Sequence, residues 1–290
     1  MESPLVTIVC LCHNQGAYVK YAVDSILAQT YNNIEIILVD DASTDNSKEA
    51  IAEIIALQPN IKFINIKENQ GNCKSFNMAL NIAKGKYIID HAADDVLMEN
   101  CVSIGVAQLE EKGNDYGIHF SDAIYINEKG EEIGLHKTSS FFAEQEVPQG
   151  YLFAEVLAKY FICPPTMLYR KSMIDSVGGY DASLSYEDFD LWVRTSKFYK
   201  YCFSPKTLVK KRNVKSSASN KQYKWGSLYI TSTLTVCKKA FLLCDNKSEY
   251  KALWQRLAYE LKQSFKTGKI LAIIGLVLLL LRASIRFTFS

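Results

Sequence analysis

The chain has 290 residues, 48% of them hydrophobic and 22% charged, which excludes a disordered protein and allows one large domain or two small ones. Its net charge of +2 hides a division: residues 1–200 hold 16 Lys and Arg against 28 Asp and Glu, and residues 201–290 hold 17 against 3. An acidic body with a basic tail does not suggest a nucleic-acid binder, and points the tail toward phosphates or an anionic membrane surface.

In chain order, Leu5 to Leu11 is a nearly continuous apolar run with β-branched residues, the pattern of a buried strand. The turn Cys12-His13-Asn14-Gln15-Gly16 follows, then a helix over about Tyr18 to Gln29. Ile34 to Val39 is a second buried strand, running into Asp40-Asp41-Ala42-Ser43-Thr44-Asp45 and a helix from about Asn46 to Leu57. Ile61 to Ile66 is a third strand, and Asn69-Gln70-Gly71-Asn72 leads into a helix over about Cys73 to Lys84, closed by Gly85. The fourth strand starts at Tyr87-Ile88-Ile89 and leads to Asp94-Asp95. Four strands alternating with three helices are the signature of an α/β fold with a mostly parallel central sheet flanked by helices. The polar loops that end these strands should share one edge of the sheet, the usual place for a ligand cleft.

Asp94-Asp95 lies between two apolar runs. Two adjacent carboxylates there are costly to bury unless a metal or hydrogen bonds compensate them. A hard cation held against a phosphate suits that position, and so does a plain helix-capping turn.

Beyond Asp115, residues 116–127 and 131–136 read as a strand pair, and Thr138 to Gly150 as a loop. A helix is expected over Tyr151 to Tyr160, a short strand over Thr166 to Tyr169, and a helix opening at Tyr186-Glu187-Asp188. Tyr151, Phe153, Tyr160 and Phe161 read as core aromatics, and His91, His119 and His136 show no pairing pattern. After Tyr223 the chain is helical and basic. Its apolar run Ile270 to Leu281 has twelve residues, about 18 Å of helix against the roughly 20 residues that span a bilayer. That predicts an interfacial or protein-packed helix rather than a crossing one. The eight cysteines form no CxxC pair and no Cys/His zinc spacing, so a reducing compartment without a disulfide framework is expected. MESPLVTIV does not read as a signal peptide.

Taken together, these motifs resemble family 2 glycosyltransferases, which have the GT-A fold. The likeness rests on Asn14, Gln29-Thr30, Asp40-Asp41-Ala42-Ser43-Thr44-Asp45, Asn69-x-Gly71, Asn77, Gly85-Lys86-Tyr87-Ile88 and Asp94-Asp95. Gly178-Gly179-Tyr180-Asp181 and Glu187-Asp188 before Leu191-Trp192-Val193-Arg194 complete it, and it covers roughly residues 5–220. It implies a glycosyltransferase domain over 1–220, with a nucleotide-binding half (1–100) and an acceptor-binding half (101–220). Residues 221–290 form a helical, basic extension.

The resemblance further implies an inverting transfer of a hexosyl or N-acetylhexosaminyl group from a nucleotide-diphosphate sugar, with UDP expected. The acceptor would be a glycan or lipid-linked hydroxyl in cell-surface polysaccharide or glycolipid assembly. Leu11, His13 and Asn14 would line the base and Asp41 would bond the uracil or ribose. Asn69, Gly71 and Lys74 would serve the donor, and Asp94 the ribose or sugar. Asp95, with Asp94, would hold Mn²⁺ or Mg²⁺ on the diphosphate. Asp188 would be the general base, with Glu187 beside it on the substrate.

This chain departs from the family pattern in three places. Ala92 stands where many relatives have a third acid, and Phe76 where an Arg often precedes Asn77. Val214 stands for a His in the segment Arg212 to Ser219, where Lys210, Lys211 and Arg212 are expected over the diphosphate instead. The tail predicts peripheral membrane association at the cytoplasmic face of the plasma membrane, or packing of Ile270 to Leu281 on the catalytic domain or on a second copy. The alternatives are a receiver-like domain, which leaves residues 115–220 unexplained, and a dinucleotide enzyme, for which no GxGxxG follows the first strand. A catalytically inactive sugar-nucleotide-binding protein is the third, against which stand the retained acids.

Overall fold

The computed structural model describes residues 3–214 and 222–289. In chain order the elements begin β1 (Val6–Cys12), α1 (Val19–Leu27), β2 (Ile34–Asp41), α2 (Ser47–Leu57), β3 (Lys62–Ile66), α3 (Asn72–Ile82) and β4 (Tyr87–Ala92). There follow β5 (Val96–Leu97), α4 (Cys101–Lys112), β6 (Tyr116–Ile126), β7 (Glu132–His136), α5 (Phe153–Ala158), β8 (Leu168–Arg170), α6 (Lys171–Ser176) and α7 (Asp188–Thr195). The last are β9 (Lys200–Arg212), α8 (Tyr229–Leu243), α9 (Lys247–Ser264) and α10 (Ile270–Phe289).

These elements form two compact units, neither of them a continuous stretch. One comprises Met1–Gly150, Ile162–Asp181 and Tyr199–Asn213; the other comprises Tyr151–Phe161, Ala182–Phe198 and Val214–Ser290. The division therefore differs from the one expected at 220/221, a boundary that lies outside the described residues, as does the expected segment Lys215 to Ser219. Buried polar partners explain the difference. Arg256 of α9 is 6% exposed, and its guanidinium donates to the carbonyls of Leu157 (2.9 Å) and Val156 (3.4 Å) at the end of α5. Asp190 of α7 is fully buried between Arg194 (2.6 Å) and Lys239 of α8 (2.5 Å). Removing one partner of a buried pair costs about 3–5 kcal/mol, so residues 151–161 and 182–198 are committed to the helical tail.

The first unit holds one sheet in the order β3-β2-β1-β4-β8-β6-β9-β5, with β7 on β6. β3, β2, β1 and β4 are parallel, as their apolar runs predict. β8 then runs antiparallel to β4 and β6, β6 and β9 are parallel, and β5 is antiparallel to β9, so the sheet as a whole is mixed. Cys10 and Cys12 join Val6 and Ile8 on one face, packed against Val19, Val23 and Ile26 of α1, Ile51 of α2 and Val102 and Val106 of α4. α3 packs over β1 and β2, and its buried Phe76, Ala79 and Leu80 belong to no part of that cluster, so helices cover both faces. All eight cysteines are buried and unbridged. Burial pushes the Cys12 thiol up to about 11.

The second unit is helical. Asn246 opens α9 by accepting the Glu249 N–H (3.1 Å). α10 corrects the length expected of the apolar run. The helix does not stop at Leu281 but continues through Arg282 and Arg286 for 20 residues, about 30 Å, which is long and apolar enough to cross a membrane by length and composition.

Candidate active-site residues

In the first unit the carboxyl ends of β1, β2 and β4 carry the polar loops. The loop after β1 is locked by the loop after β2. Asn14 has φ 56°, donates its backbone N–H to Ser43 Oγ (2.9 Å), and accepts from the Thr44 N–H (2.7 Å) through Oδ1. Gly16 donates to Asp45 Oδ2 (3.1 Å) and lies so close to α2 that a Cβ would meet the Ser47 nitrogen at 2.7 Å. Asp40, with no exposed surface, accepts from the Ser43 N–H (3.3 Å). The Asp-Asp-x-Ser-x-Asp stretch is thus first a device that fixes two loops against each other. Leu11 is 8% exposed, and its carbonyl accepts from the Ala93 N–H (2.9 Å), which ties β1 to the turn after β4.

Asp41 is 6% exposed, and its two oxygens accept the N–H groups of Gln70 and Gly71, both at 2.8 Å. The structure thus gives this carboxylate a loop-anchoring task that its expected contact with a base did not include. His13 Nδ1 lies 2.7 Å from the Asp41 carbonyl. With the proton on Nδ1, Nε2 accepts from the amides of Asn69 (3.0 Å) and Asn14 (3.1 Å), and the three side chains form one network. Lys74 is exposed on the first turns of α3.

Asp94 and Asp95 form the turn between β4 and β5. Asp95 is 3% exposed and accepts the backbone N–H of Arg212 (2.7 Å) through Oδ1. Burial, then the neighbouring Asp94 charge, pushes its carboxyl up to about 8. Burial also raises Asp94, opposed by Arg212, Lys211 and a hydrogen bond from the Gln15 side chain. The Arg212 guanidinium is already committed. Nε donates to the Asp94 carbonyl (2.9 Å), Nη1 to those of Asn127 (3.0 Å) and Glu128 (3.3 Å), and the group lies 4.6 Å from the Tyr18 ring centroid. Arg212 is thus a latch rather than the expected cover of a diphosphate. Lys210 pairs with Glu132 (3.2 Å), and the Lys211 charge bears on both acids. Asn77 clamps the Gly178 to Asp181 turn, donating to the Tyr180 carbonyl (2.8 Å) and accepting its N–H (2.9 Å).

Asp188 belongs to the second unit. It is the first residue of α7, with Glu187, also half-buried, at the N-cap. Its Oδ1 accepts the Phe189 N–H (2.6 Å), and its Oδ2 accepts the hydroxyl of Tyr160. Tyr160 is 40% exposed and rests on Trp192, ring centroids 4.6 Å apart. It is therefore not the core aromatic expected from the sequence; Phe153 and Phe161 are buried, and Tyr151 is exposed. No spacing rule links residues 28 apart, so nothing in the sequence signalled the Tyr160–Asp188 pair. Among the described residues no three His, Cys, Asp or Glu side chains converge on one point.

Comparison with known proteins bears on the family and the fold. Glycosyltransferase GlyG of Streptococcus pneumoniae is 41% identical over 41% of this chain and 42% of its own length. An uncharacterized glycosyltransferase of Methanocaldococcus jannaschii is 28% identical over 89% of this chain and 88% of its own. This chain thus spans less than half of GlyG. Among solved structures, S. aureus TarS 1-349 in complex with UDP-GlcNAc matches 91% of this chain and 74% of its own at a TM-score of 0.70 and 17% identity. A Pyrobaculum calidifontis mannosyltransferase in complex with GDP-Man and Mn²⁺ matches 98% of this chain and 76% of its own, at 0.67 and 16%. These likenesses establish the fold, and the expected GT-A architecture with a helical extension is the one observed. The model of Glycosyl transferase family 2 matches residues 7–178, more than half of the chain but short of Asp188. The chain belongs to glycosyl transferase family 2.

Proposed function

We propose that the chain moves a hexosyl or N-acetylhexosaminyl group from a nucleotide-diphosphate sugar to a hydroxyl of a glycan or lipid-linked acceptor, with inversion at the anomeric carbon. The reading places it in cell-surface polysaccharide or glycolipid assembly. The observation that carries it is the Asp94-Asp95 turn, a buried acid beside a half-buried one, both with raised proton affinity, on the loop edge of the sheet's parallel part. Desolvation makes their charged form costly, and a divalent cation is the partner that relieves that cost.

The residues present fit such an ion. Two carboxylates, with no third His, Cys, Asp or Glu converging on them among the described residues, suit Mg²⁺ or Mn²⁺, which keeps water and phosphate oxygens among its ligands. Asp95 and Asp94 would hold it, and it would supply Lewis-acid stabilisation of the departing diphosphate. The Mn²⁺ bound by the mannosyltransferase relative supports this choice. The UDP-GlcNAc bound by the TarS relative supports a uridine donor. The expected donor contacts of Leu11, His13, Asn14, Asp41, Asn69, Gly71 and Lys74 belong to the same reading, and the loop network holds His13, Asn14, Asp41, Asn69 and Gly71 in one arrangement.

The chain's own residues divide the remaining chemistry. The acceptor oxygen forms its bond to the anomeric carbon as the bond from that carbon to the diphosphate breaks, and the proton of the acceptor hydroxyl passes to Asp188. A base in that role must lie within hydrogen-bond reach of the proton. Tyr160 and the Phe189 N–H occupy the two Asp188 oxygens on one side each and fix the carboxylate's plane. Glu187 sits beside it as a candidate acceptor contact.

The test is calorimetric titration of UDP-sugars and GDP-sugars with and without Mn²⁺. One donor should bind in a Mn²⁺-dependent manner, and Asp95→Asn should abolish the metal dependence. Donor affinity unchanged by EDTA would sink the reading.

A further inference from the structure

α10 has two opposed faces. Ala272, Leu276, Leu279 and Ala283 are at most 4% exposed. They pack within the helical unit, and Gly275 lies so near Leu234 of α8 that a Cβ would meet its Cδ2 at 2.5 Å. The opposite stripe is open: Leu271 is 86% exposed, Leu278 and Leu281 57%, and Ile285 59%. These positions recur at helical spacing along the whole element, so one continuous apolar face is left uncovered. It widens at its first turn. Trp225 (82% exposed) stands against Gly268 just before that turn, and Leu228 (64%) and Phe265 (65%) are exposed in the segments next to these two residues in sequence. The Trp225 ring is held in place, because Gly268, at φ +68°, has a bare backbone where a Cβ would meet the ring at 2.6 Å. The Gly226 N–H also donates to the Thr267 carbonyl (2.9 Å).

Charge identifies what covers this face. Lys224, Lys262, Lys266 and Lys269 lie within a few residues of Trp225, Phe265 and the first turn, and Arg282 and Arg286 follow on α10. Among the described residues from 222 onward the acids are Asp245, Glu249 and Glu260, and each is engaged. Asp245 and Glu249 both pair with Lys197 at 2.8 Å. Glu260, 2% exposed, meets Arg256 (3.3 Å) and the Tyr223 hydroxyl (3.0 Å). An apolar face edged by cations alone matches an anionic bilayer. A second copy fits poorly, because a two-fold pairing would set the same lysines against themselves. A crossing helix fits poorly too. α10 is packed along α9, whose Lys247, Lys251 and Lys262 would enter hydrocarbon with it.

We infer that this face docks the protein on an anionic lipid surface, with α10 lying in the plane of the interface, Trp225, Phe265 and Leu271 inserted, and the lysines at the headgroups. This inference does not rest on the transfer reading, since vesicle binding needs neither donor nor acceptor. The experiment is flotation of the full chain with phosphatidylcholine vesicles, with and without phosphatidylglycerol. Binding is expected on the mixed vesicles and should weaken in high salt. Leu271→Glu and Leu278→Glu, both on the exposed stripe, should each lower it by about tenfold or more, the scale of one buried leucine. Their melting temperatures should match the wild type, which separates lost docking from lost folding. Any of four results overturns the inference. They are no binding to mixed vesicles, unchanged binding by both variants, resistance of bound protein to alkaline carbonate, and a solution dimer that both variants dissociate.

Discussion

At the scale of single residues, the two acid centres make different demands. Asp95 carries a carboxyl pushed to about 8 against an ordinary 3.8. A raised folded-state value means that the folded protein keeps a proton the unfolded chain releases, so stability falls as pH climbs from about 4 to 8. Asp95→Asn keeps an oxygen for the Arg212 N–H and removes the charge. The variant should therefore melt higher than wild type at pH 8, differ little near pH 4, and gain nothing from Mn²⁺, whereas wild type at pH 8 should gain. Scanning calorimetry at both pH values decides it; a variant that melts lower at pH 8 contradicts the assignment of an uncompensated buried charge. For Asp188→Asn, which keeps shape but cannot take a proton, turnover should fall by about 10²–10⁴ while Mn²⁺-dependent nucleotide binding persists. Tyr160→Phe removes only the hydroxyl that holds the carboxylate. Its loss of one charge-assisted bond, about 1.5–3 kcal/mol, should appear as a roughly ten- to hundredfold drop in kcat with donor KM unchanged. A Tyr160→Phe enzyme with wild-type kcat would remove the residue from the mechanism.

At the scale of elements, β9 explains most of what the chain did not reveal in advance. In KYCFSPKTLVKKR the break Ser204-Pro205-Lys206 interrupts any alternation between short apolar stretches, and the strand character comes from pairing with β6 and β5. Without that strand, Arg212 reads as a loop cation; with it, the residue is a buried latch on the Asp94-Asp95 turn. Arg212→Leu keeps the stem and strips the bonds to three carbonyls, and should cost about 2–4 kcal/mol and weaken Mn²⁺-dependent nucleotide binding, both read by melting with and without ligand. Unchanged binding would show the turn to be self-supporting. β1, β2 and β4 were legible because buried parallel strands are nearly continuous apolar runs, and β3, at the sheet edge, because Ile64 and Ile66 share one face on either side of the exposed Asn65; the polar loops at their ends follow from strand polarity. The length of α10 was not legible, for the opposite reason. Its apolar run ends at Arg282, yet that residue lies against the Phe241 ring (4.8 Å) and leaves the helix unbroken.

At the scale of the whole molecule, the residues proposed for donor binding and for acceptor activation belong to separate compact units. Asp41, Asp94 and Asp95 belong to the sheet unit, and Asp188 to the helical one, through segments that leave the sheet unit's sequence and return to it. Composition marked this division only in part. The basic tail was visible in the charge count, but residues 151–161 and 182–198 carry no compositional flag, and they join the tail through the Asp190 and Arg256 contacts. The organisation makes a spatial prediction for donor binding. Amide exchange with UDP and Mn²⁺ should slow at residues 13–16, 42–47, 69–72 and 94–95, where exposed or strained loops hold the network around Asn14 and Asp41. Exchange in α9 and α10 should stay as it is without ligand, because their protection comes from the packing of the helical unit itself. Protection spread evenly over both units would mean that the nucleotide site is not confined to the sheet's loop edge.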